Sequence, residues 1–401
     1  MKQQLMLSFL FTFFQSLTFG QLALHQKIDS LVQAKMKDNK IVGLSIGIVK
    51  DGNTFYTKGY GFTSVDSLFK VSDQTVFYTA SITKVFTATA LMQFVERGEL
   101  KLSDKLTDHL PDFKMKDKRY QQITIEQLLT HSSGLPWEHK YKNSTNDSFA
   151  LEQFVKDLRK EKLKFTPGQK CDGTTYSNVA YSILGLIIQR KSGMPYEEYI
   201  QKNILEPIQM TNSYLDFTQI KQELKAEPII LSGTSKEIQR FNLYGEVKDI
   251  NPMIKYPTNA LIKKESYGRT REHAPNTGLL SSATDLCSWM NELLSIYTDT
   301  SAQIESVVSN STLHDMWALK HSIPNFKTSM GLCWWRYTDT EFGDYVFHVG
   351  REPGFSSVLL IFPEKKTGIT ILCNGMYADQ FVWNELPMLL MGLINEEENK
   401  R

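Results

Sequence analysis

Two serines in this chain stand three residues ahead of a lysine: Ser67-Leu68-Phe69-Lys70 and Ser81-Ile82-Thr83-Lys84. On a helix that spacing brings both side chains onto one face, a single turn apart. A lysine amine held next to a hydroxyl, and desolvated enough to be neutral, can accept its proton and make the serine a nucleophile. Ser67 sits in a polar loop with no helical pattern behind it. Ser81 opens the long apolar run "SITKVFTATALMQFVERG", so backbone N–H groups at a helix N-terminus can support negative charge developing there. Ser81 and Lys84 are therefore the candidate nucleophile and base.

Two further stretches carry residue types that suit acyl transfer. In "TTYSNVAYSILGLIIQ", Tyr176 and Asn178 precede another apolar helix. A phenol is a useful base only beside a cation such as Lys84, and Asn178 offers both donor and acceptor to a substrate amide. The bland reading of the same residues is a turn with a packed tyrosine. In "HVGREPGFSS", Gly350 removes a side chain where a ligand backbone has to approach closely. The Arg351 N–H can pair with that of Ser81 as an oxyanion hole, and His348 would point at the ligand. A half-buried strand histidine is the plain alternative.

Other matches to chemical motifs read as structure. "GLSIG", Gly43 to Gly47, fits G-x-S-x-G, a motif that works when a strand enters the serine and a helix leaves it. Here a helical pattern precedes and "IVKDGNTFYTKG" follows, so Ser45 is a strand residue. Lys366-Thr367-Gly368 falls between the last two strand-like runs and reads as a turn. His131, in "LLTHSSGL", reads as a structural residue tying a helix end to its loop. The chain has no HExxH, and His131 and His139 do not share a helix face, so no metal site is expected.

The elements that must position these residues follow from periodicity. Leu24, Ile28, Leu31 and Met36 recur about one turn apart, giving an opening helix. "IVGLSIGIVKDGNTFYTKGYGF" is two strands around Asp51-Gly52-Asn53. From about Ser81 to Met290 helical patterns dominate, interrupted from Lys225 to His273 by a Pro- and Gly-bearing stretch that reads as loops with isolated strands. Three strand-like runs, "YVFHVG", "SSVLLIFP" and "GITILCN", then lead into a closing helix from about Ala378 to Ile394. The expected class is α+β. A mostly antiparallel sheet is built from both chain ends and flanked by the terminal helices, with a helical region inserted and a cleft between them. In residue terms that is a single unit over 21–401, with a sheet-bearing part at 21–80 and 275–401 and a helical part at 81–274.

The 401 residues carry a formal net charge of +1 and are 41% hydrophobic. That balance leaves no basic footprint for nucleic acid. Lys2, the apolar run "LMLSFLFTFF" and small residues at Thr18 and Gly20 have the pattern of a secretory signal over residues 1–20. The run is short for a membrane span, and an uncleaved anchor is the rival reading. The mature protein is expected to be exported, periplasmic or secreted, with no integral span. The four cysteines, Cys171, Cys287, Cys333 and Cys373, show no spacing of a disulfide framework or zinc site.

Taken together, Ser81-x-x-Lys84, Tyr176-x-Asn178 and His348-x-Gly350 resemble, in order and type, the class C β-lactamase-related serine hydrolases. That group spans β-lactamases, D-Ala-D-Ala carboxypeptidases, D-aminopeptidases and esterases. "TIEQLLTHSSGLP", "FTPGQKCDGTTYSN" and "PNTGLLSSATDL" also look like the family, and the resemblance runs from about Ile28 to Ile394. It implies a β-lactamase/transpeptidase-like fold, Ser81 as the acylated nucleophile, and a proton shuttle shared by Lys84 and Tyr176. It further implies substrate contacts from Asn178 and His348, an oxyanion hole from the Ser81 and Arg351 N–H groups, and no cofactor. The sequence departs from class C β-lactamases at the third corner, where a lysine would meet an antibiotic's carboxylate. His348 is largely neutral at about pH 7, which tilts the expectation toward an ester or D-amino-acid peptide as substrate. A β-lactam remains an alternative substrate. So does a protein that binds cell-wall peptides without turnover.

Overall fold

A computed structural model describes the chain except residues 1–20, 67, 142–145, 173, 232–260, 264–269, 300–305, 324–326 and 401. The expected signal segment, Ser67 and most of the Lys225–His273 stretch therefore lie outside the described residues.

The opening helix α1 covers 21–38. Strands β1 (Gly43–Lys50) and β2 (Asn53–Gly61) form the expected hairpin. After the short β3 (Phe77–Tyr78) come α2 (Thr83–Glu96), α3 (Ile125–Leu129), α4 (Ala150–Asp157) and α5 (Asn178–Ser192). Two short strands, β4 (Ile229–Leu231) and β5 (Leu261–Lys263), pair with each other. The chain continues through α6 (Ala274–Thr277), β6 (Leu280–Ser281), α7 (Ala283–Thr298) and α8 (Asn310–Trp317). Strands β7 (His321–Ser322), β8 (Thr328–Met330), β9 (Trp335–Tyr337), β10 (Tyr345–Glu352), β11 (Phe355–Phe362) and β12 (Thr367–Cys373) complete the sheet. Helix α9 (Leu386–Glu398) closes the chain. It continues a helical run that begins at 379–380 and passes through a π turn, Phe381–Glu385, so the closing helix starts where expected, with Pro387, which has no N–H to give, just past the π turn.

Among the described residues the main sheet has eight strands in the order β2-β1-β12-β11-β10-β9-β8-β7, and each neighbouring pair is antiparallel. The N-terminal β1 is thus an inner strand whose partner is the C-terminal β12, with Leu44 opposite Cys373 and Lys50 opposite Thr367. Alternation along the strands decides what each face buries. Leu44, Ile46 and Ile48 of β1, Val358 and Leu360 of β11 and Ile369 and Ile371 of β12 pack with Ile28, Val32, Leu390 and Ile394 of the terminal helices. Leu359, Ile361 and Leu372 point the other way and join the core of the helical region. There α7 lies close on the sheet, because a side chain at Gly47 would stand 2.5 Å from the Cys287 sulfur. Trp289 of α7 stacks on Phe86 of α2 with ring centroids 4.4 Å apart, which locks the helical region to the sheet. All four cysteines are buried free thiols.

Two sequence readings need adjustment. Lys366 does sit in a turn, in the left-handed region at φ 47°, but Thr367 and Gly368 already belong to β12. The sheet also extends beyond the five anticipated strands by β7, β8 and β9, each of two or three residues. Such strands are too short to show an alternating pattern.

Candidate active site

The local sequence explains how Ser81 is presented. Strand β3 runs beside β6, with Phe77 opposite Ser281 and Tyr78 opposite Leu280. Thr79 then hydrogen-bonds the Leu279 carbonyl through both its N–H (3.0 Å) and its hydroxyl (2.7 Å). The next residue, Ala80, takes φ 51°, a left-handed conformation that costs an L-residue roughly 1–2 kcal/mol. The kink turns the chain from strand into a short 3-10 turn, Ala80–Ile82, which runs directly into α2. Thr83 clamps the kink. Its hydroxyl donates to the Ala80 carbonyl at 2.6 Å and accepts from the Leu279 N–H at 2.9 Å.

One turn on, Lys84 is fully buried. Its Nζ lies 2.9 Å from Ser81 Oγ and donates to the Asn276 carbonyl at 2.7 Å. It also stands 5.0 Å from the Tyr176 ring centroid and 5.6 Å from that of Tyr181. Helix α2 is buried nearly all round, so Lys84 reaches Ser81 from within the protein and not through solvent.

Tyr176 arrives from the opposite side, on the loop that ends at the Ser177 N-cap of α5. Burial pushes its phenol far above the ordinary value. A hydrogen bond with Ser81 pulls it back in part, while Cys333, Glu138 and Glu352 push it further up. The resting phenol is therefore protonated. His131 holds this loop in place. It follows the end of α3 with φ 56°, its Nδ1 accepts the Ser177 N–H at 3.1 Å, and its ring lies 4.1 Å from that of Tyr176. Burial, reinforced by the neighbouring Lys84, keeps His131 well below the usual histidine value, so it stays neutral.

Strand β10 supplies the third wall. Val346, His348, Gly350 and Glu352 alternate onto its buried face. Beside these residues β9 pairs only with Tyr345–Phe347. His348 Nδ1 is 2.8 Å from the Val349 carbonyl, which can only accept, so that nitrogen carries the hydrogen. Burial, reinforced by Lys84, pushes His348 down to about 3; it is neutral across the physiological range.

Gly350 lies close to the site for a different reason from the one its sequence suggests. A side chain there would meet the Thr79 carbonyl at 2.1 Å and Ser357 Oγ at 2.2 Å. The glycine clears room for the chain segment that carries Ser81, and Ser357 then donates to the Thr79 carbonyl at 2.8 Å. The Arg351 side chain projects away from this face and pairs with Asp379 at 2.7 Å. Asn178 is the first residue of α5, and its side-chain NH₂ donates to Glu138.

Ser81, Lys84 and Tyr176 thus share one hydrogen-bonded cluster, with His348 close enough to feel the Lys84 charge. Sequence reasoning missed the Asn276 carbonyl, Glu138 and Glu352. A backbone acceptor has no residue-type signature, and the two glutamates belong to no spacing motif. Ser45 lies inside β1 with its hydroxyl on the Ser72 carbonyl at 3.2 Å, away from this cluster. A cavity of about 640 Å³ lined by Tyr78, Tyr214, Arg271 and Leu280 lies beside the site and includes neither Ser81 nor Lys84. Among the described residues no group of histidine, cysteine and carboxylate side chains is arranged to hold a metal, and no helix is long and apolar enough to cross a membrane.

An antiparallel sheet completed by both chain ends, with Ser-x-x-Lys at the start of α2 and its lysine buried, defines the serine hydrolases of β-lactamase/transpeptidase-like fold. The chain belongs to the Beta-lactamase family, whose model matches residues 28–388. It is 30% identical over 353 residues to Protein flp of Staphylococcus aureus (strain COL), an alignment covering 87% of this chain and 63% of that protein. The chain therefore spans less than two thirds of the length of that relative. Among solved structures, the octameric penicillin-binding protein homologue from Pyrococcus abyssi superposes with a TM-score of 0.74 at 27% identity, covering 92% of this chain and 77% of that one. A class C beta-lactamase superposes with a TM-score of 0.71 at 18% identity, covering 93% and 96%. At that identity the second likeness concerns the fold alone.

Proposed function

We propose that the protein hydrolyses an ester or a D-amino-acid peptide through an acyl-enzyme on Ser81. The observation that carries this reading is the 2.9 Å contact between Ser81 Oγ and the buried Lys84 Nζ. One Lys84 hydrogen is committed to the Asn276 carbonyl. In the neutral amine the lone pair can then turn to Ser81 and take its proton as the hydroxyl attacks the substrate carbonyl. The protonated Tyr176 is suited to the next step, passing a proton to the departing alcohol or amine. A water molecule would then reverse the sequence to release the acid.

The N–H groups of Ser81 and Arg351 are the oxyanion donors in this reading, and His348 and Asn178 line the substrate path. The neutral state of His348 favours ester or peptide over β-lactam, since no fixed cation at that corner meets an antibiotic's carboxylate. The test is to offer a p-nitrophenyl short-chain ester, a D-Ala-D-Ala peptide and a chromogenic cephalosporin to the wild type and to Ser81→Ala. Turnover of the ester or peptide that Ser81→Ala loses is the expected result. Full activity in Ser81→Ala would show that the nucleophile is misassigned. Stoichiometric labelling of Ser81 without turnover would replace the hydrolase with a binding protein.

A further inference from the structure

The formal net charge of +1 is the sum of an uneven distribution. Two stretches of the helical region, 112–119 and 152–164, hold nine lysines and arginines against five acidic residues. They lie side by side. The Lys116 N–H donates to the Arg159 carbonyl at 2.9 Å, and Arg119 donates to the Leu163 carbonyl at 3.2 Å. Along both stretches alternate residues turn in and out. Phe113, Met115, Leu163 and Phe165 are buried, while Lys114, Lys116, Lys162 and Lys164 are exposed. All five acidic residues are engaged: Asp112 and Glu152 by Arg190, Asp117 by Arg119, and Asp157 and Glu161 by His139. Lys118 and Arg159 are exposed like the four lysines, and among the described residues none of these six cations has a carboxylate partner. Like charges gathered in this way repel one another, and an anionic partner offsets that repulsion.

The same face carries exposed aromatic rings. Phe149, 63% exposed, is followed by Gln153 and Lys156 at the spacing that sets all three along the outer side of α4. The chain then runs from Asp157, the last residue of α4, straight into Arg159 and the basic stretch. Trp137, 50% exposed, stands two residues ahead of His139, whose ring nitrogens lie 2.8 Å from Asp157 and 2.8 Å from Glu161. A soluble polyanion matches the lysines but offers no apolar phase to a phenyl ring. A bilayer interface accepts both, cations among the headgroups and aromatic rings at their inner boundary.

We propose that this face, from Phe149 along α4 to the basic residues of 114–118 and 159–164, docks on an anionic phospholipid bilayer. The export expected from residues 1–20 would carry the protein through such a membrane. The face is continuous with one wall of the Ser81 site, because the Trp137 carbonyl accepts the Asn178 N–H at 2.9 Å. Docking therefore holds the site beside the lipid surface. This goes beyond the acyl-transfer reading and does not depend on it.

The test is co-sedimentation with vesicles of phosphatidylcholine, alone or with about 30% phosphatidylglycerol to supply negative surface potential. Every variant keeps the same N-terminus, so an apolar run there acts alike throughout. The anionic vesicles are expected to bind the protein about tenfold more tightly or better, with the difference lost as salt rises. Each cation near such a surface contributes about fivefold, so the pair Lys162→Gln and Lys164→Gln should weaken binding about 25-fold. Phe149→Ser should weaken it about fivefold through lost apolar contact. The pair Lys27→Gln and Lys37→Gln removes the same charge from exposed positions on α1, which packs on the other face of the sheet. It should leave binding within about twofold.

Equal binding to the two vesicle types, or equal losses from the two lysine pairs, would overturn the proposal. Phe149→Ser without effect on vesicle binding would do the same, since the ring is the reason to prefer a bilayer. Inorganic polyphosphate is the second probe. If it bound through Lys162 and Lys164 while the vesicles were ignored, the face would belong to a soluble polyanion and the membrane reading would fall. None of these readouts involves turnover, so failure here leaves the hydrolase reading standing.

Discussion

Substituting Gly350 by alanine distinguishes two reasons for a glycine at that position. The new methyl would stand 2.1 Å from the Thr79 carbonyl oxygen and 2.2 Å from Ser357 Oγ, where ordinary contact begins at 3.4 Å. Ser357 can rotate away, at the loss of its hydrogen bond to Thr79, about 1 kcal/mol. The Thr79 carbonyl is backbone, in a residue whose N–H and hydroxyl both donate to the Leu279 carbonyl, and must yield by more than an ångström. Overpacking of this kind costs about 1–3 kcal/mol, so the total loss of stability is about 2–4 kcal/mol. Thr79 is two residues from Ser81, and a nucleophile displaced by about 1 Å loses roughly a hundredfold in rate. Stopped-flow acylation with a p-nitrophenyl ester, read beside thermal melts, should therefore show a burst rate about a hundredfold lower with KM little changed. A variant with wild-type acylation and a raised KM would refute this reasoning and return Gly350 to the role of making room for ligand.

Replacing Lys84 by methionine keeps the bulk but removes the amine that contacts Ser81 and Asn276. It should lower kcat/KM by about 10²–10⁴-fold and cost about 1–3 kcal/mol for the unpaired carbonyl; a burst at the wild-type rate would dismiss Lys84 as the base. Acid should act on the fold through two histidines. His348 is held at about 3 and His131 well below 6.5, both mainly by burial. The native state thus binds fewer protons than the unfolded chain. Their contribution to stability is complete above about pH 6.5 and declines as pH falls below it, for His348 down to about 3, by up to about 1.4 kcal/mol per pH unit for each group. Urea melts of His348→Gln should show a shallower acid slope than the wild type, and an unchanged slope would mean that His348 is not the group resisting protonation.

Much of this site was legible because its chemistry depends on local spacing. Ser81 and Lys84 are one helical turn apart, and a long apolar run announces the helix that holds them. Tyr176 and Asn178 were readable from their place at the start of α5, and the edge of β10 from its glycine. What escaped depends on tertiary position. The Asn276 carbonyl reaches Lys84 because α6 packs beside α2, Glu138 meets Asn178 across a loop, and Glu352 matters only through the face of β10 it shares with His348. Gly350 was singled out for a reason its neighbours do not support, since sequence shows that space is needed but not which atoms fill it. The hairpin β1–β2 could be read from its turn residues and the three long C-terminal strands from short strand-like runs, whereas β7 to β9 are ordered by the edge they extend.

The pairing of β1 with β12 also bears on how the molecule is made. Leu44 finds its partner Cys373 only when nearly all of the chain between them is available, so the central contact of the sheet is among the most non-local in the fold. Closing so long a loop before any contact rewards it makes for slow folding. Until β12 emerges, β1 has one open edge and the apolar Leu44, Ile46 and Ile48 have only α1 to cover them. A nascent or truncated chain ending before Thr367 would expose that edge to other chains. Truncation within the last two elements should accordingly be read out as aggregation, well before any question of catalysis arises.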